Sequence, residues 1–577
     1  MTTFELWAPK PTRVRIRIGE TMTELQKAAD GWWRVDLPDA GPGTDYAYLL
    51  DDDPQPLPDP RAAWLPNGVH EPSRVYDHSA YAWTDDHWTG RQLAGSVLYE
   101  LHIGTFTPEG TFDAAIERLD HLVELGVDLV ELLPVNGFNG AYNWGYDGVA
   151  WYAVHEQYGG PDGLKRFVDA CHAKGLGVAL DVVYNHLGPS GNYLPRFGPY
   201  LKEGSNTWGD LINLDGRDSN EVRRYILDNV LGWFRDFHVD ALRLDAVHAL
   251  ADTRAAHLLE EASREVDVLS THLGRPLSLI AESDLNDPKL MAPVEAGGYG
   301  LTAAWDDDVH HALHALLTGE RSGYYGDFGS FATLAAVLTG AYFHAGTYSS
   351  FRQRVHGRPV DRRNTPGYRF VVCLQNHDQI GNRATGDRIS ATLSPELLTI
   401  GAALMLTSPF TPMLFMGEEW GAGTPWQFFT SHPEPELATA VETGRKAEFA
   451  EHGWGEAEVP NPQDPATFER SKLDWSEPTK PPHAGVLDVY RRLIALRREV
   501  SDLTDPRLDR VAVLYDEDAR WMVVRRGERH AVAVNLGSAA RAVSLPASVE
   551  AVLFHSHGAD EWTGTLPPES VAILRLR

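Results

Sequence analysis

The chain has 577 residues, of which 43% are hydrophobic and 10% aromatic, so it can bury a large core and is predicted to form several globular domains. Its formal net charge is -30, from 81 acidic and 51 basic residues, and no basic block is long enough to follow a phosphate backbone. These numbers argue against nucleic acid and anionic membranes as partners, and they favour a neutral or cationic small-molecule substrate.

The first residues, "MTTFELWAPKPTRVRIRIG", contain no apolar signal core, and the most apolar later run, "GAALMLTSPFTPMLFMG", is interrupted by Thr, Ser and Pro. We therefore expect a cytoplasmic protein with no membrane partner, and we expect it to be a monomer. Only two cysteines are present. Cys171 and Cys373 both fall in apolar surroundings and are predicted to be buried free thiols.

Strand-like alternation dominates residues 1–90, in "VRIRIG", "WWRVDL" and "DYAYLL", and a Pro-rich passage, "DDDPQPLPDPRAAWLP", follows it. Such alternation is typical of strands with one buried face. This part of the chain is predicted to be a small β-sandwich, joined to the rest of the chain by a linker.

A different pattern fills residues 91–503, where short apolar runs end in polar residues and alternate with helical segments. Two of the helical segments are "TFDAAIERLDHLVELG", with Thr111 or Asp113 as its cap and Gly126 as its end, and "DGLKRFVDACHAKG". Eight apolar runs are present: "SVLYELHIGTF", "VDLVELLPV", "GVALDVVYNH", "VDALRLDAVH", "LSLIAESD", "TAAWDDD", "RFVVCLQNHD" and "TPMLFMGEEW". Eight β-then-α repeats predict an α/β fold, the (β/α)8 TIM barrel.

Two longer segments interrupt this barrel pattern, at about 309–368 and 421–480, and "GVLDVYRRLIALRREV" is predicted to be its last helix. Residues 504–577 return to strand-like sequence, with a hairpin predicted around Gly527 in "RWMVVRRGERHAVAVNLG". The expected architecture is thus a TIM barrel between an N-terminal and a C-terminal β-sandwich domain. Active sites of such barrels lie at the carboxyl ends of the strands, where the runs become polar.

The fourth run places two charges inside an otherwise apolar strand. In "VDALRLDAVHAL", Arg243 and Asp245 share one strand face, and an unpaired charge would be costly in a buried parallel sheet. We therefore expect them to form an ion pair. Taken alone, this pair is as compatible with a structural role as with catalysis.

Three carboxylates are predicted to end the fourth, fifth and seventh strands: Asp245, Glu282 and Asp378. Cleavage of a glycosidic bond with retention uses one carboxylate as nucleophile and a second as general acid and base. Arg243 would keep Asp245 ionised. Glu282 follows the apolar "LSLIA" with no adjacent cation, so desolvation is expected to raise its pKa and suit it to proton donation.

Metal-dependent and nucleotide-dependent chemistries fit the sequence less well than glycoside cleavage. His310 and His314 are one helical turn apart and could ligate a metal, but the preceding "DDD" is better explained as a cap and acidic first turn. "HEQYG" at His155 lacks the second histidine of a zinc motif, and no phosphate loop or dinucleotide fingerprint is present. We expect neither a metal nor a cofactor. A strand-end aspartate such as Asp378 could also serve only as a turn cap.

"DVVYNH", "ALRLDAVH", "AESD" and "QNHD", in this order and on these strands, resemble the four signature regions of the α-amylase superfamily of glycoside hydrolases. The likeness runs from near residue 3 to the C-terminus, and it implies that the N-terminal sandwich, residues 1–90, is similar to a carbohydrate-binding module. The longer stretches "NWGYDGVAWYAVHEQYGGP", "LQNHDQIGNRATGD" and "FMGEEWGA" resemble the members of that superfamily that release trehalose from maltooligosyltrehalose. This resemblance implies hydrolysis of the α-1,4 bond between a maltooligosyl chain and a terminal trehalose.

The resemblance also implies residue roles. It makes Asp245 the nucleophile, Glu282 the acid and base, and Asp378 the carboxylate that fixes sugar hydroxyls. Further sugar contacts are implied for Arg243, which orients the nucleophile, and for His186, His377, Tyr146, His248 and Gln379. Trp208 could stack on a glucose ring of the leaving group or simply anchor its loop. Asp308 and His311 lie at the active end of the barrel and could touch substrate.

Three alternatives remain at this point. A glucan branching enzyme, or an amylase-like hydrolase, would share the scaffold, although "QNHDQIGN" argues against the former. A catalytically silent carbohydrate-binding protein would not require all three carboxylates. A metal-dependent barrel hydrolase would lose its activity in the presence of a chelator.

Overall fold

The computed structural model describes residues 2–450 and 459–577, and its centre is a closed barrel of eight parallel strands. In chain order the barrel strands are β1 (Leu98–Leu101), β2 (Leu129–Leu132), β3 (Gly177–Val182), β4 (Ala241–Leu244), β5 (Ser278–Ala281), β6 (Ala303–Trp305), β7 (Phe370–Cys373) and β8 (Thr411–Phe415). Each strand lies within one of the eight predicted runs. The predicted TIM barrel is therefore confirmed.

The barrel interior has an apolar layer near the amino ends of the strands and a polar layer above it. Large and small side chains share the lower layer, which includes Leu98, Leu129, Ala179, Ala241, Ile280 and Ala303. Side chains two positions further along a strand face the same way. The upper layer therefore contains the buried residues Glu100, Glu131, Asp181, Arg243 and Trp305. The charges are thus concentrated below the carboxyl ends of the strands.

Helices pack around the barrel in seven of the eight connections. They are Phe112–Ile116 with Leu119–Leu125, Gly160–Ala173, Ser219–Asp236, Leu258–Leu273, Asp307–Thr318, Pro395–Leu406 and His483–Glu499. The helical segment after β1 was predicted as one helix, but it is broken before Leu119. Thr111 caps its first part and Gly126 ends its second part, as expected. The connection from 282 to 302, which is fully described, holds only the 3-10 turns Pro288–Leu290 and Val294–Ala296. Its "NDPKLMAPVEAGG" is too rich in Pro and Gly to continue an α-helix.

The N-terminal part is a β-sandwich of two antiparallel sheets, as predicted. One sheet has the strand order Thr2–Trp7, Trp32–Leu37, Gln26–Lys27, and the other has the order Thr21–Glu24, Val14–Ile18, Asp45–Leu50, Ser73–Arg74. Their inner faces pack through Phe4, Leu6, Ile16 and Tyr48, which are nearly inaccessible. The Pro-rich passage then runs along the barrel, where Arg61 pairs with Asp228 at 2.9 Å.

The C-terminal part is built on a five-stranded antiparallel sheet. Its strand order is Val511–Asp516, Trp521–Arg526, His530–Asn535, Ser570–Leu576, Val549–His555, and a small sheet of Arg541–Ala542 with Thr565–Leu566 lies beside it. The predicted hairpin at Gly527 is confirmed, because Arg526 pairs with His530 across it.

The remaining elements lie mainly in the connections above the barrel. They are the hairpins Asn136–Gly137 with Ala150–Val154, Leu201–Ser205 with Asp210–Ile212 and Thr347–Ser349 with Arg354–His356, and the helices Ile103–Phe106, Leu194–Phe197, Phe331–Gly340, His377–Gly381, Pro435–Ala450, Pro465–Arg470 and Ser501–Thr504. Residues 451–458, within the predicted insertion 421–480, lie outside the described residues. Both cysteines are buried free thiols, as predicted. Within the described ranges, no helix is long and apolar enough to span a membrane.

Candidate active site

The three carboxylates singled out by the sequence meet in one cleft at the carboxyl ends of the strands. The cleft has a volume of about 440 Å³, and its lining includes Asp245, Glu282, Asp378, Tyr146, His186, His377, Trp208, Asn143, Trp144, Asp147, Phe428 and Arg445. It lies directly above the polar layer of the barrel.

A larger cavity of about 760 Å³ lies elsewhere, between the passage around Leu65, the loop at Phe138 and the insertion at His432. None of the three carboxylates lines it. The smaller cleft is the candidate active site because it brings the three carboxylates together and because one of them, Glu282, has a raised pKa.

Asp245 follows the last residue of β4 and is held by two donors. Arg243 Nη1 donates to its Oδ1 at 2.7 Å, and Asn185 Nδ2 donates to its Oδ2 at 2.7 Å. The ion pair that the strand pattern predicted is thus present. Two donors, one of them cationic, favour the ionised carboxylate and fix its orientation, as a nucleophile requires.

Arg243 is completely buried and links the barrel interior to the cleft. The same Nη1 also donates to Asp181 at 2.7 Å, and the guanidinium lies 4.3 Å from the ring centroid of Trp305. Its Nη2 is 3.6 Å from Glu282 Oε2. The expectation that no cation lies next to Glu282 is therefore wrong. The neighbouring strand brings in Arg243, a contact that spacing within "LSLIAESD" does not reveal.

The residue after Asp245 adopts a strained backbone conformation. Ala246 has φ +39° and ψ +51°, in the left-handed region that a residue with a Cβ occupies at a cost of about 1 kcal/mol or more. In this conformation its N–H donates to Glu282 Oε2 at 2.5 Å. The turn therefore aims a backbone donor at the second carboxylate while the side chain of Asp245 stays on Arg243.

Glu282 has the protonation behaviour expected of a general acid. Burial raises its pKa to about 8, and the nearby Asp245 adds to this effect, although Arg243 acts in the opposite direction. The predicted direction is thus confirmed, because desolvation outweighs the cation that the sequence reasoning had missed. At neutral pH the cleft pairs a protonated carboxyl with the Arg-bound carboxylate of Asp245.

Asp378 is placed differently from the other two carboxylates. It lies five residues beyond β7, in the first turn of the helix His377–Gly381, whose N-terminus Asn376 caps by accepting from Gln379 N–H at 2.7 Å. The expectation that all three carboxylates occupy equivalent strand ends is therefore wrong. Asp378 is 43% exposed and its Oδ1 is 3.6 Å from His377 Nε2, so it faces the open cleft.

His377 lies between the cleft and the barrel interior. Its Nδ1 is 2.5 Å from Glu100 Oε1 and its Nε2 is 2.8 Å from the hydroxyl of Tyr146. Burial opposes a charge on the ring, but Glu100 and Asp378 outweigh it and raise the pKa of His377 to about 9. At neutral pH His377 is an imidazolium.

Tyr146 and His186 form the wall beside Asp245. The Tyr146 ring stacks on His377 with centroids 5.2 Å apart, and its hydroxyl donates to Asp181 at 2.5 Å. His186 Nε2 contacts the Tyr146 carbonyl at 2.9 Å, while its Nδ1 contacts Asn185 Oδ1 at 2.6 Å. A sugar ring entering the cleft would meet one flat aromatic surface and two oriented imidazoles.

The cleft also carries exposed aromatic surface beside His186, whose ring centroid is 6.2 Å from that of Trp208. Trp208 lies in the turn between Leu201–Ser205 and Asp210–Ile212, and 48% of it is exposed. It packs edge-on against His248, which is 3.8 Å from Asp284. This position agrees with the sugar-stacking interpretation of Trp208 and not with that of a buried loop anchor.

Three further predicted contacts, Asp308, His311 and Gln379, lie outside the cleft lining. Asp308 is buried, and one of its oxygens accepts from Asn286, from Phe343 N–H and from His344 N–H at 2.8 to 2.9 Å. The expectation that it touches substrate is corrected: it anchors the segment after β6. His311 stacks on Tyr324, whose hydroxyl donates to Gln379 at 3.2 Å. His311 and Gln379 thus support the rim.

His310 and His314, on the helix Asp307–Thr318, form no metal site. His310 contacts the hydroxyl of Tyr325 at 3.1 Å and His314 contacts Glu320 at 2.8 Å. Asp306 caps the helix, as the "DDD" pattern predicts. Within residues 2–450 and 459–577, no group of three His, Cys, Asp or Glu side chains could hold a metal ion.

Three residues of the site were given no individual role from the sequence. Asn185 and Asp181 are in the motif "DVVYNH", and each directly contacts a residue that the motifs had singled out. Glu100 comes from "LYELH" in the first strand, where nothing nearby suggested a role. Inward-facing acidic residues on barrel strands are the signal that would have identified Asp181 and Glu100.

Comparison with known proteins places this geometry in a family. The profile of the alpha amylase catalytic domain matches residues 74–208, and a domain of unknown function, DUF3459, matches residues 506–573. The malto-oligosyltrehalose trehalohydrolase of Mycobacterium tuberculosis is 57% identical over 100% of this chain and 99% of its own length, and that of Arthrobacter ramosus is 63% identical over 86% and 87%. A crystal structure from Salmonella typhimurium described as an alpha amylase superposes with a TM-score of 0.91 at 38% identity, covering 100% of this chain and 97% of its own.

Proposed function

The chain belongs to the malto-oligosyltrehalose trehalohydrolase family, within the α-amylase superfamily of glycoside hydrolases, and from this membership we propose how its cleft carries out the reaction. The enzyme hydrolyses the α-1,4 bond that joins a maltooligosyl chain to a terminal trehalose, and it releases free trehalose. The reaction proceeds with retention, through a covalent glycosyl-enzyme intermediate.

In the first step, Asp245 attacks the anomeric carbon of the glucosyl unit at the cleavage point. The bond from this carbon to the trehalose oxygen breaks, and Glu282 gives its proton to that oxygen, so that trehalose leaves as a neutral alcohol. Ionised Asp245 and protonated Glu282 are the states that their surroundings favour at neutral pH.

In the second step, water replaces the departed trehalose. Glu282, now ionised, takes a proton from this water, whose oxygen attacks the anomeric carbon and displaces Asp245. The maltooligosaccharide is released with its original anomeric configuration, and both carboxyl groups return to their starting states. Glu282 Oε2 accepts from the N–H of Ala246, and this hydrogen bond helps hold the carboxyl group in place through both steps.

The remaining polar residues of the cleft hold the sugar at the cleavage point. Asp378 binds its hydroxyls and favours the distorted ring of the transition state, and His377 and His186 contact it from the wall of the cleft. Tyr146 supplies the flat surface beneath the ring. This assignment is supported by the contacts of Tyr146, whose ring stacks on His377 and whose backbone carbonyl is 2.9 Å from His186 Nε2.

The trehalose unit is proposed to bind at the end of the cleft that carries Trp208. The exposed face of this indole offers a stacking surface for one glucose ring. Phe351, which is 50% exposed, and Arg352, paired with Asp284 at 3.1 Å, flank the same region from the segment after β6. This arrangement supports recognition of trehalose as the leaving group.

One observation carries the assignment of the catalytic pair. Two nitrogens of the buried guanidinium of Arg243 face Asp245 at 2.7 Å and Glu282 at 3.6 Å, and burial nevertheless raises the pKa of Glu282 to about 8. A carboxylate held by a cation, beside a carboxyl group that keeps its proton, is the arrangement that a retaining glycosidase needs.

The experiment is a product analysis. The protein is incubated with maltotriosyltrehalose and, separately, with a plain maltooligosaccharide of similar length, and the products are separated by chromatography. Fast release of trehalose and maltotriose from the first, with slow attack on the second, supports the proposal. Equal cleavage of both, or the appearance of longer or branched products, would instead identify an amylase-like hydrolase or a branching transferase.

We also propose a cytoplasmic monomer that needs no metal or cofactor and whose partner is its oligosaccharide substrate. The acidic composition supports the choice of a neutral sugar over nucleic acid or an anionic membrane. Size-exclusion chromatography with light scattering tests the monomer, and unchanged activity in the presence of a chelator tests the absence of a required metal.

A further inference from the structure

Glu100 is a buried carboxylate on β1 that holds His377 at two points. Its Oε2 accepts from the backbone N–H of His377 at 3.0 Å, and its Oε1 lies 2.5 Å from Nδ1 of the same residue. The side chain of Glu100 is 1% exposed. Glu100 therefore acts on the position and the protonation of His377 while remaining outside the cleft lining.

The hydrogen-bond partners of His377 identify which of its nitrogens carry protons. Nδ1 faces the carboxylate of Glu100, which accepts, so Nδ1 carries a proton. Nε2 faces the hydroxyl of Tyr146, and this hydroxyl gives its only proton to Asp181 Oδ2, which also accepts from Arg243. The tyrosine oxygen must then accept from Nε2–H. Both ring nitrogens are donors, and a doubly protonated ring is an imidazolium.

The charges around His377 agree with this proton count. Asp378, from its own helix, and Glu100, from β1, favour the charged ring, whereas burial and Arg243 from β4 oppose it. His102, in the loop after β1, is kept neutral because burial lowers its pKa to about 3. Glu131 on β2 is kept protonated because burial, together with Glu100 and Asp181, raises its pKa. Glu100 is thus the negative charge inside the barrel that directly faces the ring.

We propose that Glu100 is a positioning residue that keeps His377 doubly protonated, so that Nε2–H remains a donor toward Tyr146 and the sugar-binding face of the cleft. The inference rests on the proposed function, in which His377 contacts the sugar at the cleavage point. A neutral His377 would donate from only one nitrogen. Either Glu100 or Tyr146 would then lose its donor, and the link from β1 through Tyr146 to Asp181 and Arg243 would break.

The test is the pH dependence of kcat/KM for Glu100→Gln, measured with maltotriosyltrehalose from pH 5 to pH 9. Glutamine keeps the shape but removes the charge. A histidine at its ordinary pKa of about 6.5 is only about 3% protonated at pH 8, so a variant that is active only with the charged ring is expected to lose about 30-fold at pH 8. At pH 5, where His377 is protonated in both proteins, the loss should shrink to within about 5-fold.

A purely structural role for Glu100 predicts a different result. If the loss is equally large at pH 5 and pH 8, Glu100 only supports the fold of the site and the proposal is wrong. The proposal is also wrong if Glu100→Gln matches the wild type across the whole pH range. Thermal unfolding of each variant checks that the comparison is made between folded proteins.

Glu131→Gln provides the matched control. Glu131 is the register neighbour of Glu100 on β2, is equally buried, and has no hydrogen-bond partner for either carboxylate oxygen among the described residues. Because Glu131 already holds a proton, the substitution by glutamine replaces one neutral group with another. Its pH profile is expected to match that of the wild type, and a shift like that of Glu100→Gln would contradict the assignment of the charge to Glu100.

Two more variants keep the test decisive. Glu100→Asp retains the charge, so the alkaline limb should stay where the wild type has it even if the rate falls. A shift of this limb to lower pH would overturn the proposal, even if Glu100→Gln does not fold. In a His377→Asn background, Glu100→Gln should change kcat/KM by less than about 3-fold, because its effect passes through the missing ring. A wild type that releases no trehalose would refute the proposed function alone, and the pH comparison can then be made on whichever bond it cleaves.

Discussion

Replacement of Asn185 by alanine should slow catalysis without removing any of the three carboxylates. Asn185 Nδ2 donates to the Oδ2 of Asp245 at 2.7 Å and to its backbone carbonyl at 3.0 Å. Its Oδ1 contacts His186 Nδ1 at 2.6 Å. One amide thus orients both the proposed nucleophile and one of the histidines proposed to bind the sugar.

The expected magnitude follows from the contact with the charged carboxylate. A hydrogen bond to a charged group contributes about 1.5 to 3 kcal/mol, and each 1.36 kcal/mol of barrier is tenfold in rate. Arg243 still binds the other oxygen of Asp245, so the nucleophile stays ionised but becomes free to rotate. We therefore expect kcat/KM for Asn185→Ala to fall about 10- to 150-fold.

The assay is the steady-state release of trehalose, with thermal unfolding measured in parallel. Asn229→Ala is the matched control, since this equally buried amide bonds Tyr184, Trp233 and the carbonyl of Trp151 behind the barrel wall. Both variants should lose stability, about 1 to 3 kcal/mol each, from unpaired polar groups. Only Asn185→Ala should lose activity in the folded state. A loss below about 3-fold, or an equal loss in the control, would refute this reasoning.

Three further outcomes are expected. Asp245→Asn should abolish turnover while the fold and substrate binding persist, and retained turnover would remove it as the nucleophile. Because Glu282 must carry a proton in the first step, kcat/KM should fall about tenfold per pH unit as pH rises beyond about 8, and activity that stays flat to pH 9.5 would contradict its role as the acid. Trp208→Ala should raise KM for maltotriosyltrehalose more than for a plain maltooligosaccharide of equal length, and an unchanged kcat/KM would exclude the indole from the trehalose pocket.

Some features of the site depend on contacts that no linear pattern reveals. The pKa of Glu282 was predicted in the right direction but from an incomplete environment, since Arg243 approaches it from the next strand. Asp308 was expected at the substrate because of its position near a strand end, yet three N–H donors hold it beneath the following segment. In both cases the deciding partner lies more than 20 residues away along the chain.

The order of apolar and polar residues along the chain was sufficient to predict the barrel, the two flanking β domains and the three acidic positions of the cleft. It could do so because strand burial on both faces produces continuous apolar runs, and because the residue after each run lies at the same end of the barrel. The protonation state and the partners of each group, in contrast, follow from how the strands are arranged in space. Which carboxyl holds a proton, which histidine is charged and how Glu100 reaches His377 depend on distances between different strands, and those distances exist only once the barrel has closed.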